Sequence, residues 1–271
     1  MSNESESILS EQTARLRVPG PIVNSEWLAE QIDHPDLRIL DVRPPEQYAA
    51  GHLPNAVQVN IAELSGVVDG VPGMLLPAEP FAARMGILGV DENKAVVIYD
   101  GNWGMPSARV LWSLARYGHD NAAALNGNFE LWRQQGHAWT PHAFVPPRSH
   151  FTPRPVEERL ATRDWLLARM GDDDLVVIDT RTALEYAQGH LPDALSWDWM
   201  NALSQGQPQI HRDLDALRTE LESMGVTPDR EIVTYCRSGA RAAHTYLVLR
   251  TLGYERVRNY DGSWLEWSLY G

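Results

Sequence analysis

The chain contains a single cysteine, Cys236, among 271 residues. A lone thiol excludes an internal disulfide and a cysteine-rich zinc site. Cysteine usage therefore gives no pointer to an oxidising compartment. Positive charge is scarce too: 23 Lys and Arg stand against 36 Asp and Glu, a net charge of −13. That argues against nucleic acid as a partner, because a basic face is needed to displace phosphate counterions. A small anion is not excluded, since a nest of backbone amides can hold one on an acidic protein. Long apolar runs are also missing. The first twenty residues, MSNESESILSEQTARLRVPG, read neither as a signal peptide nor as a membrane span. Residues 1–19 are expected to form a flexible tail, and the chain to be soluble, cytoplasmic and independent of membranes. With 44% apolar and 22% charged residues, the chain as a whole has the profile of a globular protein with a real core. Its length suits about two domains.

What the sequence does have is an internal repeat. Residues 37–56 read LRILDVRPPEQYAAGHLPNA and residues 175–194 read LVVIDTRTALEYAQGHLPDA. Asp41 pairs with Asp179, Arg43 with Arg181, Tyr48 with Tyr186, and Gly51-His52-Leu53-Pro54 with Gly189-His190-Leu191-Pro192. A second block repeats in the same order. Tyr99-Asp100 aligns with Tyr235-Cys236, and Gly127 with Gly262. A repeat of this length is a whole domain rather than a solenoid unit.

Each half alternates short β-branched runs with longer amphipathic stretches. The runs at 38–40, 96–99, 176–178 and 232–235 suit buried strands. The stretches Ser25–Ile32, Ala108–Tyr117, Arg163–Met170, Asp213–Met224 and Ala240–Leu252 suit helices. The fold class is therefore α/β, with a mainly parallel sheet flanked by helices in each half. Residues 20–140 form the first domain and 159–271 the second. The proline-rich segment 141–158 reads as a linker, because proline favours extended chain.

Cys236 closes an apolar run, which puts it at the carboxyl end of a strand, the edge where open α/β sheets bind ligands. Arg237, Ser238, Gly239, Ala240 and Arg241 follow and lead into a helix. Strand, glycine-containing loop and helix N-terminus together cradle an anion in backbone N–H groups. The same field favours a thiolate nucleophile. A lone cysteine is by default a small buried hydrophobe, and only this context argues otherwise.

At these residues the chain resembles the tandem-domain rhodaneses, the thiosulfate and 3-mercaptopyruvate sulfurtransferases. The resemblance covers about residues 20–271. The family's N-terminal signature occurs twice, as Tyr48–Ala56 and Tyr186–Ala194, with Asn55 and Asp193 in place of the usual glycine. Its C-terminal signature occurs at residues 257–267. The resemblance implies two tandem rhodanese-like domains, of which only the second is catalytic, Asp100 taking the cysteine position in the first. It implies that Cys236 takes sulfane sulfur from a small anionic donor as a persulfide, held by the amides of residues 237–241, and passes it to cyanide, a thiol or a protein acceptor. No metal and no organic cofactor are implied. Thiosulfate is favoured as donor because Arg237 and Arg241 suit a compact dianion. 3-Mercaptopyruvate is the alternative, since Ser238-Gly239 resembles the loops of that group. Tandem relatives place a substrate-binding arginine where this chain has Glu185, which removes one cation from the expected donor site. The oligomeric state is not legible.

Competing assignments are a cysteine phosphatase, whose loop has five residues between Cys and Arg against four here, and a non-catalytic binding module. The remaining polar residues have structural readings. Asp41/Arg43, Asp179/Arg181, His52 and His190 recur in both halves although only one half has a cysteine, so they are expected to brace each domain. The ten tryptophans are expected in the core and the domain interface, and Asp172-Asp173-Asp174 in a solvated turn.

Overall fold

The structure, a computed structural model, describes residues 15–270. In the first half the strands are Ile22–Val23 (β1), Leu37–Asp41 (β2), Ala56–Gln58 (β3), Ser65–Val68 (β4), Val71–Leu75 (β5), Ala95–Asp100 (β6) and Ala122–Asn128 (β7). All except β4 and β5 join one parallel sheet in the order β1-β7-β6-β2-β3. In the second half Leu160–Ala161 (β8), Leu175–Asp179 (β9), Leu195–Ser196 (β10), Glu231–Tyr235 (β11) and Val257–Tyr260 (β12) repeat that arrangement as β8-β12-β11-β9-β10. The helices are Ser25–Gln31 (α1), Pro45–Ala50 (α2), Ala78–Ile87 (α3), Met105–Arg116 (α4) and Phe129–Gln134 (α5), then Arg163–Arg169 (α6), Ala183–Ala187 (α7), Leu214–Ser223 (α8), Ala240–Thr251 (α9) and Ser263–Tyr270 (α10).

The central strands β2, β6 and β11 are buried along their whole length, which is why they read as apolar runs without alternation. Side-chain caps fix several helix starts, as when Asn24 accepts from the N–H of Trp27 at 2.9 Å and Thr162 from that of Trp165 at 3.1 Å; each satisfies one orphan donor of the first turn. In both halves the position of the usual signature glycine is left-handed, with φ of 62° at Asn55 and 58° at Asp193. Asn and Asp tolerate that region better than other side chains do, so the departure from glycine leaves the turn intact.

Two helices differ from the amphipathic reading. α4 is buried at every position from Ser107 to Ala115, and α9 from Ala242 to Leu249. Each lies between its own sheet and the other half, with α4 packed on α9. One apolar cluster therefore runs through both halves, joining Ile98, Trp112 and Leu114 to Ile178, Tyr246 and Leu247, while the far face of each sheet has its own cluster. Fully buried side chains of this kind contribute about 1.5–3 kcal/mol each, so the shared cluster couples the folding of the two halves.

The segment 141–156 is extended, and much of it is fastened to the first half. Ser149 N–H donates to Gly86 O, Arg154 N–H to Tyr117 O and Val156 N–H to Arg116 O, and Phe151 is buried. Residues 15–19 likewise depart from the expected tail: Asn121 accepts from Val18 N–H at 3.0 Å and donates to Leu16 O at 2.9 Å. The rest of the expected tail, residues 1–14, lies outside the described residues. The β4–β5 hairpin was not foreseen. It turns on Asp69-Gly70, both at positive φ, the backbone that a tight two-residue hairpin requires.

Candidate functional site

Cys236 sits at the carboxyl end of β11 and is 1% exposed. Arg237 after it is exposed, Ser238, Ala240 and Arg241 are half-buried, and Gly239 is buried. Gly239 caps α9 with φ of 81°, and a Cβ there would lie 2.7 Å from Asp261 Oδ1 and 2.8 Å from Arg109 Nη1. Conformation and space both require glycine. Two side chains fix the loop from below. The Ser263 hydroxyl accepts from the N–H groups of Cys236 and Gly239, each at 3.1 Å, while donating to Tyr260 O at 2.7 Å. Asn259 donates to Gly239 O at 3.1 Å. Ser263 holds a left-handed backbone, φ 52°, a strained state for a residue with a Cβ. Among the described residues the N–H groups of Ser238, Ala240, Arg241 and Ala242 have no acceptor. They are the orphan donors at and before the first turn of α9, next to Cys236 in the chain.

Glu185 and Arg241 meet at this loop. The Glu185 carboxylate takes both arms of the guanidinium, at 2.7 and 2.8 Å. Hydrogen bonding from Arg241 draws the Glu185 carboxyl down to about 2. The same bond is the main cause raising Arg241, with the Cys236 sulfur adding to it. Glu185 therefore reaches the loop, but through its arginine. It is positioned by the capping box of α7, where Thr182 and Glu185 cap each other's backbone N–H groups.

The loop of the first half shows what happens when the anion is built in. Asp100 stands at the end of β6, and its carboxylate accepts from the N–H groups of Asn102 at 2.6 Å, Gly104 at 3.1 Å and Ser107 at 3.0 Å. The nest is filled by the chain itself.

The paired polar residues brace the two halves alike. Arg181 holds Asp179 through bonds of 2.6–3.1 Å and reaches Gly189 O at 2.6 Å, while Tyr235 donates to Asp179 at 2.6 Å. Arg43, Asp41, Gly51 and Tyr99 repeat the arrangement. Burial pushes the hydroxyls of Tyr99 and Tyr235 well above their ordinary range, so both remain donors. His52 and His190 each stack on the tyrosine four residues back, with ring centroids 3.8 Å apart. The acidic run lies in a turn, where Asp174 pairs with Arg169 and Arg256, each at 3.0 Å. Trp112, Trp132, Trp197 and Trp199 are buried; Trp103 is 42% exposed but lies between the halves, its indole donating to Gln207 O at 3.0 Å, and Trp139, 46% exposed, departs from the expectation. Sequence reasoning assigned no site role to Ser263, Asn259, Asp261 or Arg109; the first three lie within the signature at 257–267, which was the available signal, while Arg109 joins them only in the fold.

Twin parallel sheets, each ending in a strand–loop–helix nest with a cysteine in one of the two, define a duplicated rhodanese-type fold. Residues 24–135 and 162–270 each match the rhodanese-like domain family, and the chain belongs to it. It is 32% identical over 255 residues to the thiosulfate sulfurtransferase of Pseudomonas aeruginosa, covering 91% of this chain and 93% of that protein. It is 30% identical over 266 residues to the 3-mercaptopyruvate sulfurtransferase of Escherichia coli K12, covering 90% and 94%. It is 29% identical to the sulfur carrier protein TtuD of Thermus thermophilus, covering 92% and 94%. The crystal structure of SseA from Escherichia coli, a 3-mercaptopyruvate sulfotransferase with the rhodanese fold, matches with a TM-score of 0.81 at 29% identity over 90% of this chain and 99% of that one. The family is one of sulfurtransferases. No helix among the described residues is long and apolar enough to cross a membrane.

Proposed function

We propose that the protein moves sulfane sulfur from thiosulfate to cyanide or a thiol through a persulfide on Cys236. The observation that carries this is the contrast between the loops: the nest around Asp100 is closed by its own carboxylate, whereas after Cys236 the N–H groups of Ser238, Ala240, Arg241 and Ala242 stay open and only those of Cys236 and Gly239 are taken, by Ser263. The Cys236 thiolate attacks the outer sulfur of thiosulfate. The donor's S–S bond breaks with its electron pair leaving on sulfite, and a Cys–S–S⁻ anion remains. The free amides of Ser238, Ala240, Arg241 and Ala242 and the Arg241 guanidinium stabilise that new charge, as in an oxyanion hole. Cyanide attacks the terminal sulfur, thiocyanate leaves and the thiolate returns; a thiol acceptor leaves as its own persulfide. Neither a metal nor an organic cofactor takes part in these steps.

A second reading, 3-mercaptopyruvate as donor, is favoured by the Glu185 fork, which compensates the charge of Arg241 and leaves a monocarboxylate better matched than a dianion. The deciding experiment compares kcat/KM for the two donors, with the +32 mass shift of the persulfide read on Cys236. A thiosulfate preference of tenfold or more is expected. The reverse preference selects the second reading, and turnover that survives Cys236→Ser overturns both.

A further inference from the structure

The repeat supplies an internal comparison across the domain interface. Gly104 and Gly239 cap α4 and α9, so Arg109 and His244, each five residues further on, are equivalent. Asn126 and Asp261, each preceding the matched glycines 127 and 262, are equivalent as well. Each helix sends its polar side chain across to the other half while also holding a connecting segment of its own. Arg109 binds the carboxylate of Asp261 and donates to Gly73 O at 3.2 Å; Asp261 in turn accepts from Leu75 N–H at 2.7 Å. On the other side His244 Nε2 lies 3.1 Å from Trp103 O and 3.0 Å from Ile210 O, and Asn126 accepts from Ile210 N–H at 3.0 Å. The connecting segments are thus clasped reciprocally. β5 lies against the cysteine loop, where a Cβ on Gly73 would come 3.7 Å from Ser238 Cβ, and Ile210 lies against Gly104.

The backbones match and the charges do not. Behind the Asp100 loop stand an amide and an imidazole that burial draws down to about 4, so it is neutral at ordinary pH. Behind the Cys236 loop stand a guanidinium and a carboxylate, both buried. A buried ion pair is seldom more stable than a neutral pair of similar size, and the other half of this molecule closes the same joint with a neutral one. Stability therefore leaves the charge unexplained. The pair touches Gly239 itself, the residue that aims the loop amides.

We infer that Arg109, carried by the half without a cysteine, is a positioning residue for sulfur transfer: through Asp261 it holds Gly239 and the β5 segment in the geometry that turns the loop amides toward the sulfur of Cys236. The inference rests on Cys236 being the nucleophile.

The test compares Arg109→Met, Arg109→Lys and Asp261→Asn with His244→Gln, the equivalent contact at the other loop. The readouts are kcat and KM for thiosulfate, the rate of Cys236 alkylation by neutral iodoacetamide at pH 7, and the melting temperature. Arg109→Met is expected to lower kcat about tenfold or more with KM within about threefold, and to slow alkylation at least threefold. Arg109→Lys should recover part of both. His244→Gln should lower the melting temperature while leaving kcat and alkylation within about twofold. If Arg109→Met is too unstable to study, Asp261→Asn, which keeps an acceptor for Leu75 N–H, must show the same kinetic direction. Normal kcat and alkylation in a folded Arg109 or Asp261 variant overturn the inference, as does a His244→Gln effect on both as large as that of Arg109→Met. Sulfur transfer surviving Cys236→Ser is a separate result that removes the functional reading, and the alkylation comparison still decides the positioning role.

Discussion

Glu185 grips Arg241 with both carboxylate oxygens, at 2.7 and 2.8 Å, and thereby ties α7 to the first turn of α9 beside Cys236. The cation that follows the nest is held still and electrically compensated. Glu185→Gln keeps one acceptor for Arg241 and frees its charge, so kcat/KM for thiosulfate should rise about three- to tenfold at low ionic strength and fall back with added salt. A flat response at every salt concentration would mean that Arg241 does not face the donor. The pair is partly open to solvent, so the stability cost should be only about 0.5–1 kcal/mol. The carboxyl is lowered from 4.5 to about 2 in the fold. Its contribution is therefore complete above pH 4.5 and is lost as pH falls from there toward 2. Urea unfolding of wild type and variant should converge over that window.

The carboxylate of Asp100 is the fixed occupant of its loop. Asp100→Ala leaves three N–H groups, those of Gly104 and Ser107 buried and that of Asn102 half-buried, without their acceptor and should cost about 2–4 kcal/mol, while Asp100→Asn keeps one acceptor oxygen and should cost less. Millimolar sulfate should raise the melting temperature of Asp100→Ala more than that of wild type, because the emptied nest takes an anion. Equal sulfate responses would contradict the nest.

Ser263 serves two N–H groups from a left-handed backbone. Ser263→Ala should lose about 2–3 kcal/mol, and Ser263→Gly about 1 kcal/mol less, because glycine accepts the positive φ. Both should cut persulfide yield at Cys236, as neither anchors the loop. Full yield in both variants would show that Asn259 alone holds it.

His244 is neutral in the fold, lowered by burial from 6.5 to about 4. The unfolded chain binds a proton first as pH falls, so stability is complete above pH 6.5 and declines between 6.5 and 4, by up to about 3 kcal/mol. Calorimetry across this range should show a slope that His244→Gln removes. An unchanged slope would assign the effect to other groups.

Much of this protein is legible in one dimension. The two matched blocks give the duplication, the β-branched runs give the central parallel strands, and the position of Cys236 after such a run places it at a sheet edge. These features are local, and local patterning fixes period, burial and turn chemistry. Asn55 and Asp193 also read correctly as signature positions, since a left-handed turn is a property of a few residues. The β4–β5 hairpin was missed although Asp69-Gly70 announces its turn, because its strands are too short and irregular to alternate.

Tertiary structure alone decided the rest. The all-round burial of α4 and α9 comes from contact between the halves, which no periodicity within either helix encodes. Glu185 was legible as an absent arginine, but its partner was not, since residues 185 and 241 meet only when α7 and α9 pack. The same holds for Arg109 and Asp261, 152 positions apart. The sequence determined two similar domains and one cysteine; packing decided that a cation from the first half stands behind the loop of the second, because long-range electrostatic contacts depend on where folded surfaces meet.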